Sequence, residues 1–251
     1  MATPDLIVFD VDGTLLDEGV EVPERTEALL RLSQRVPCLL SSGRAPFSLA
    51  RWARAWNLNG PHGACNGALL TTANEDIDVL ATLDDDLRDG LIDALLARDL
   101  PILVFLADGS LRTPVHDERV QVVTAFDEPM PVVGGLDTAP TVKVITVATR
   151  DDEGDELRSL FADRTLYQRT HELFVEWNSP RSSKGLALEH QIAALGITPN
   201  LVYAVGDSEN DASMLRLADH GIAVQGAAIE AREAADEHLT VPIEQWMDSI
   251  G

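Results

Sequence analysis

The sequence predicts an α/β protein, a doubly wound parallel sheet interrupted by an inserted α+β unit. Three observations predict it. At both ends of the chain, apolar runs of strand length alternate with helical patterns over about 30 residues, the βαβ rhythm of a parallel sheet. Three of these runs end in polar stretches, Asp10 to Thr14, Ser41 to Arg44 and Gly206 to Asp211, and open α/β sheets bind ligands at the C-terminal ends of their strands. Between them the pattern changes to acidic stretches followed by β-branched alternation. Residues 1–78 and 181–251 are therefore assigned to one domain, and residues 79–180 to the insertion.

The elements follow in order. Leu6-Ile7-Val8-Phe9 is a short apolar run, a buried strand. A helical pattern over 21–35 places Leu29, Leu30 and Leu32 on one side, with Pro23 near its start. Val36 to Leu40 reads as a strand, followed by a helix near 46–56 in which Trp52 and Trp56 share a face. Asn66-Gly67 marks a turn or hairpin between two short apolar pieces in 62–72.

In the insertion, Asp84-Asp85-Asp86 starts a helix over 84–98. Ile102 to Phe105 is a strand, and Thr141 to Thr149 alternates as a strand with one face packed. A helix at 151–161 and strands at 165–168 and 173–177 complete the unit. From 182 the βα rhythm resumes. A helix at 183–195 stops at Gly196, and a buried strand runs from Leu201 to Val205. A helix at 209–217, a strand at 221–224, a helix at 227–235 and a short helix after Pro242 follow.

Composition narrows the function classes. Hydrophobic residues make up 45% of the 251, enough for a folded core. No apolar run is long enough to span a bilayer, and the N-terminus lacks the basic-then-apolar pattern of a signal peptide, so a cytoplasmic location is expected. Cys38 and Cys65 lie in apolar surroundings and read as buried free thiols. Asp and Glu number 42 against 19 Lys and Arg, a formal net charge of -23. Such a surface repels nucleic acid and anionic lipid, so neither is expected as a partner. Only Lys143 and Lys184 are lysines. Many acids with arginine as the main cation fit either a salt-adapted host or a GC-rich genome. The histidines form no ligand-spaced cluster, which argues against zinc; His116 and His171 read as surface residues of the insertion.

The chemistry concentrates at the strand ends. In extended backbone, residues two apart face one side, so Asp10 and Asp12 can share a site, and Gly13 lets the chain turn. Two carboxylates this close repel unless neutralised, and a divalent cation is the usual solution. Alone, the pair reads more readily as an acidic turn after a strand. With its flanks, Asp10-Val11-Asp12-Gly13-Thr14-Leu15 resembles the first motif of the haloacid dehalogenase (HAD) superfamily. Ser42 with Gly43 resembles the second motif, Lys184 in Ser183-Lys184-Gly185 the third, and Gly206-Asp207-Ser208-Glu209-Asn210-Asp211 the fourth. Asn66-Gly67-Ala68, Lys143 and the run 183–188 are similar to the Cof-like sugar-phosphatase branch, which carries a large α/β cap at the position of 79–180. Ser41-Ser42 stands where that branch more often has Ala-Thr or Ser-Thr, and a Ser hydroxyl can do the same work.

The resemblance implies a Mg²⁺-dependent phosphatase acting on a small phosphorylated metabolite, a sugar phosphate or phosphoglycolate-like compound. It implies Asp10 as nucleophile forming an aspartyl-phosphate and Asp12 as acid and base. Mg²⁺ would be held by Asp10, the Asp12 main-chain carbonyl and Asp207, with Asp211 behind them. Ser42, Gly43 and Lys184 would hold the transferring group. Asn210 would either brace the fourth motif or touch phosphate. Arg44 is read as structural. A phosphomutase of the same fold, or a non-catalytic metabolite-binding member, is the alternative; a monomer or small homo-oligomer is expected.

Overall fold

The computed structural model describes residues 3–17, 19–126, 128–147, 156, 158–159, 161–171 and 174–250. The chain opens with β1 (Leu6–Phe9), a two-residue hairpin of β2 (Leu16–Asp17) and β3 (Val20–Glu21), then α1 (Pro23–Leu32), β4 (Cys38–Leu40) and α2 (Pro46–Ala55). Next come β5 (His62–Ala64), β6 (Leu69–Thr71), β7 (Ile77–Val79), α3 (Asp85–Leu96), β8 (Ile102–Leu106), β9 (Leu111–Thr113) and a 3₁₀ segment Glu118–Phe126. Then follow β10 (Val132–Val133), β11 (Thr141–Val147), β12 (Leu166–His171) and β13 (Phe174–Asn178). The chain closes with α4 (Lys184–Leu195), β14 (Val202–Gly206), α5 (Ala212–Leu217), β15 (His220–Ala223), α6 (Ile229–Ala234), β16 (Glu237–His238) and α7 (Ile243–Ser249).

The first and last parts of the chain share one five-stranded parallel sheet, in the order β16-β15-β14-β1-β4. After β1 the chain winds to β4 on one side; β14 and the later strands fill the other. The strand order therefore reverses beside β1, where an open α/β sheet forms its ligand crevice. Every residue of β1, β4 and β14 is buried, as expected of strands covered on both faces. Trp56 is buried, and its ring lies 4.9 Å from that of Trp52, so the shared face is core.

A short antiparallel sheet, β5-β6-β7, adjoins the parallel one through a bridge between Ser41 and Gly63. A six-stranded sheet in the order β10-β9-β8-β11-β13-β12 forms the second unit. Leu87, Leu91 and Leu95 recur every fourth residue of α3 and pack on Ile102, Val104, Val144, Val175 and Trp177, the stripe of an amphipathic helix. The alternate residues of the same strands, among them Lys143, Ile145, Phe174 and Glu176, line a cavity against the parallel sheet's domain.

Several expectations need correcting. The strand from Thr141 was expected to pack on one face; all seven residues of β11 are buried, because α3 covers one side and the neighbouring domain the other. The helix expected over 21–35 is shorter, since the β2–β3 hairpin precedes it and Ser33 caps it. The helix at 209–217 begins as a 3₁₀ turn, Glu209–Asp211. The helix expected over 151–161 falls largely outside the described residues, as does the end of the strand beyond Val147. Cys38 and Cys65 are free and buried, and burial pushes both thiols up to about 12. Among the described residues, no helix is long and apolar enough to cross a membrane.

Candidate active site

Three adjacent strand ends build the site. Asp10 follows β1, Ser41 and Ser42 follow β4, and Asp207 follows β14. Backbone bonds fix their register: Asp10 N–H donates to Val205 O at 2.8 Å, and Ser41 N–H to Phe9 O at 2.8 Å. Gly13 makes the turn after β1 at φ +86°, and a Cβ there would overlap the Asp207 carboxylate. Only glycine allows both that backbone and that approach.

Asp10, Asp207 and Asp211 offer carboxylate oxygens within 4.8 Å of one another. Lys184, the first residue of α4, donates to Asp10 Oδ1 and to Asp211 Oδ1, each at 2.5 Å. Its place is set from both sides: Ser183 caps the helix by accepting from Leu186 N–H, and Gln191 ties α4 to Leu40 O and Pro61 O. At Gly67, which turns at φ +82°, a Cβ would overlap Ser183 O, so the hairpin after β5 abuts the lysine's own backbone.

Three carboxylates share one ammonium, and the excess shows. Burial, then Asp211, pushes the Asp10 carboxyl well above the usual range, against the pull of Lys184. Burial and Asp211 push Asp207 up to about 6. Burial works against the Lys184 ammonium, but Asp10 and Asp211 hold its pKa above the ordinary value. The second oxygen of Asp10 is buried without a partner. Oxygen donors only, surplus negative charge and an orphaned carboxylate oxygen are the features that a hard divalent cation satisfies. Asp211 is otherwise engaged: its Oδ2 accepts from the Asp207 and Ser208 N–H groups, each at 2.9 Å. It therefore organises the loop that presents Asp207.

The Asp12 carboxylate stands apart from that cluster. Both its oxygens accept from Arg44, at 2.8 Å from Nε and 2.7 Å from Nη2, and Arg44 also donates to Ser48 Oγ at 3.0 Å. Asp12 and Asp10 nevertheless line one cavity, with Ser42, Gly43, Ser208 and Asn210. Ser42 Oγ accepts from Arg44 N–H at 3.2 Å. The cavity holds about 200 Å³, room for a small compound.

Asn210 reaches away from the acids. Its amide donates to Asn66 Oδ1 at 3.1 Å, and Asn66 donates to Glu176 Oε2 at 3.0 Å. Lys143 completes the chain, donating to Glu176 Oε2 at 3.3 Å and to Gly43 O at 2.8 Å. Asn66 takes the left-handed conformation, φ +54°, that an Asn-Gly turn favours. Reading the sequence from its residues alone did not single out Glu176 or Glu128. Glu176 carried a signal, since it is an acid inside the apolar strand Phe174-Val175-Glu176-Trp177, opposite in charge to the lysine of a neighbouring strand. Glu128 sits in a loop and carried none.

Comparison with known proteins is consistent along most of the chain. The Hydrolase_3 family, described as haloacid dehalogenase-like hydrolase, matches residues 7–244. YxeH of Bacillus subtilis, named as a phosphatase, is 29% identical over 247 residues, covering 92% of this chain and 91% of that protein. The chloroplastic endoribonuclease YBEY of Arabidopsis thaliana is 24% identical over 250 residues, 92% of this chain; the chain spans only 43% of that longer protein. The crystal structure of a haloacid dehalogenase-like hydrolase from Bacteroides thetaiotaomicron superimposes with a TM-score of 0.83 at 22% identity, covering 99% of this chain and 100% of the other.

Proposed function

We propose that this chain, which belongs to the haloacid dehalogenase-like hydrolases and is one of their phosphatases, hydrolyses a phosphomonoester of a small metabolite with Mg²⁺, through an aspartyl-phosphate on Asp10. A sugar phosphate and a phosphoglycolate-like compound are both small enough for the cavity, and the unpaired Glu128 carboxylate oxygen beside it favours the sugar phosphate; residues 79–180 form its cap. The observation that carries this reading is the state of Asp10. It is buried at a strand end, one oxygen on Lys184 and the other orphaned, facing the cavity that also receives Asp12.

Asp10, Asp207 and the Asp12 main-chain oxygen would hold the ion, with Asp211 orienting the Asp207 loop. When bound, Mg²⁺ neutralises charge on the carboxylates and on the transferring phosphoryl oxygens. Asp10 attacks phosphorus in line, forming an oxygen–phosphorus bond as the ester bond to the leaving group breaks. Asp12 gives its proton to the departing oxygen, then takes one from the water that cleaves the aspartyl-phosphate. Both Asp12 oxygens are occupied by Arg44, so one of those bonds must be given up as the leaving group enters, while the other keeps Arg44 on Asp12. Lys184 screens Asp10 from the approaching anion, and the Ser42 hydroxyl and Gly43 N–H bind phosphoryl oxygens. Asn210 braces the loop through Asn66.

The test is release of inorganic phosphate from a panel of phosphomonoesters. Exhaustive chelation should stop it and added Mg²⁺ should restore it. Full turnover after chelation would refute the metal assignment. Transfer of phosphate to a second sugar in place of water would identify a phosphomutase.

A further inference from the structure

We propose that Glu128 reads the leaving group: its free carboxylate oxygen accepts a hydrogen bond from a hydroxyl of the substrate, and its charge turns away leaving groups that end in a carboxylate. This rests on the phosphatase reading above and sharpens it to a specificity residue.

Glu128 lies in the loop between the 3₁₀ segment Glu118–Phe126 and β10. Its Oε1 accepts from Ala45 N–H at 2.9 Å. Ala45 caps α2 and directly follows the Ser42–Arg44 loop, so the carboxylate is held beside the phosphoryl-binding groups. Its Oε2 is buried and has no partner, and Glu128 lines the same cavity as Asp10, Asp12, Ser42 and Gly43. Burial pushes the Glu128 carboxyl up to about 7, against the Ala45 N–H, Lys143 and Arg44.

The other polar groups that the cap sheet turns to this cavity are engaged. Lys143 is held by Gly43 O and Glu176, and Glu176 by Lys143 and Asn66. The remaining cap lining is apolar: Phe105, Val123, Ile145 and Phe174. A substrate extending past its phosphate therefore meets apolar walls and an unsatisfied acceptor, the arrangement that fixes orientation in small-molecule sites. A hydroxyl satisfies that acceptor without adding charge. A carboxylate would bring like charges together, and the cations facing Glu128 are spoken for: Lys143 by Glu176, and Arg44 by Asp12.

The experiment compares three phosphomonoesters of matched size, those of glycerol, 1-propanol and 3-hydroxypropanoate, by kcat/KM with Mg²⁺ at pH 8. The wild type should prefer them in that order. In Glu128→Gln the handicap of the carboxylate ester relative to propyl phosphate should shrink about tenfold, and in Glu128→Leu the advantage of the glycerol ester over propyl phosphate should shrink about tenfold. Because the readout is a ratio within each protein, a general loss from misfolding does not mimic it. Ratios unchanged in both variants, including a proportional fall on all three esters, would overturn the inference alone. No phosphate release by the wild type from these esters or an aryl phosphate would overturn the phosphatase reading and the inference with it.

Discussion

The chain has two lysines, and each is buried in one half of the molecule. Lys184 stands in the parallel-sheet domain, between Asp10 and Asp211 with Asp207 nearby. Lys143 stands in the cap sheet, between the Glu176 carboxylate and the Gly43 carbonyl, 4.4 Å from the centre of the Phe105 ring. Both ammonium groups are held above their ordinary pKa by neighbouring carboxylates against the cost of burial. The surroundings differ in charge balance. Around Lys143 one acid, Glu176, is hydrogen-bonded and Glu128 is a second carboxylate facing it; around Lys184 two acids are hydrogen-bonded and a third stands beside them. A balanced buried pair is structure, holding cap to core through Gly43. An unbalanced one carries surplus negative charge that a further cation would offset, and it leaves one Asp10 oxygen uncommitted.

The largest effect should come at the unbalanced end. Asp10→Asn should reduce phosphate release to background and leave no aspartyl-phosphate, because an amide is a poor nucleophile. In metal-free protein the same change should raise the melting temperature, since it removes one of three crowded acids. A lower melting temperature would show that Lys184 already balances the cluster, and the contrast would collapse.

Asp12→Asn should come next. It should slow turnover of alkyl phosphates by roughly 10²–10⁴-fold, the usual range for a lost general acid, and slow an aryl phosphate less, whose leaving group needs little protonation. Equal losses on both esters would remove Asp12 from the acid role.

At the balanced end, Lys143→Met leaves Glu176 buried without its cation. Breaking a buried pair in this way costs about 3–5 kcal/mol, measurable by urea unfolding. Removing both charges with Lys143→Met and Glu176→Leu should recover much of that loss. A single variant as stable as wild type would mean that the pair holds nothing together.

The smallest effect is a slope with pH. Glu128 is held at about 7 against an ordinary 4.5. Between those values the folded chain binds a proton that the unfolded chain does not, so this carboxyl's contribution to stability falls as pH rises from about 4.5 through about 7, and is flat above. Asp207, at about 6, acts in the same direction. His62, pushed down to about 4 by burial, acts oppositely below about 6.5. The difference between wild type and Glu128→Gln isolates the one group. Their urea midpoints should converge toward acid pH and part as pH rises to 7, the variant being the more stable. Parallel curves would show that Glu128 is solvated.

The sequence by itself determined the doubly wound fold class and the strand ends where Asp10, Ser42 and Asp207 sit. Those properties are local: an apolar run, a following acid and a glycine that can turn are readable wherever they occur, because strand periodicity and backbone sterics act over a few residues. It also marked Lys184 as unusual through the scarcity of lysine. Only the tertiary structure decided what these residues face. That Asp12 is gripped by Arg44, 32 positions away, that Lys143 reaches Gly43 across 100 positions, and that a loop glutamate comes to rest on Ala45 depend on how two sheets pack. The same holds for β11, whose alternation predicted one covered face and whose residues are all buried. Alternation records what a strand can bury on itself, whereas the second cover is supplied by a distant part of the chain. Charge compensation is non-local for the same reason: a buried acid's partner is selected by distance in space, which the order of residues does not encode.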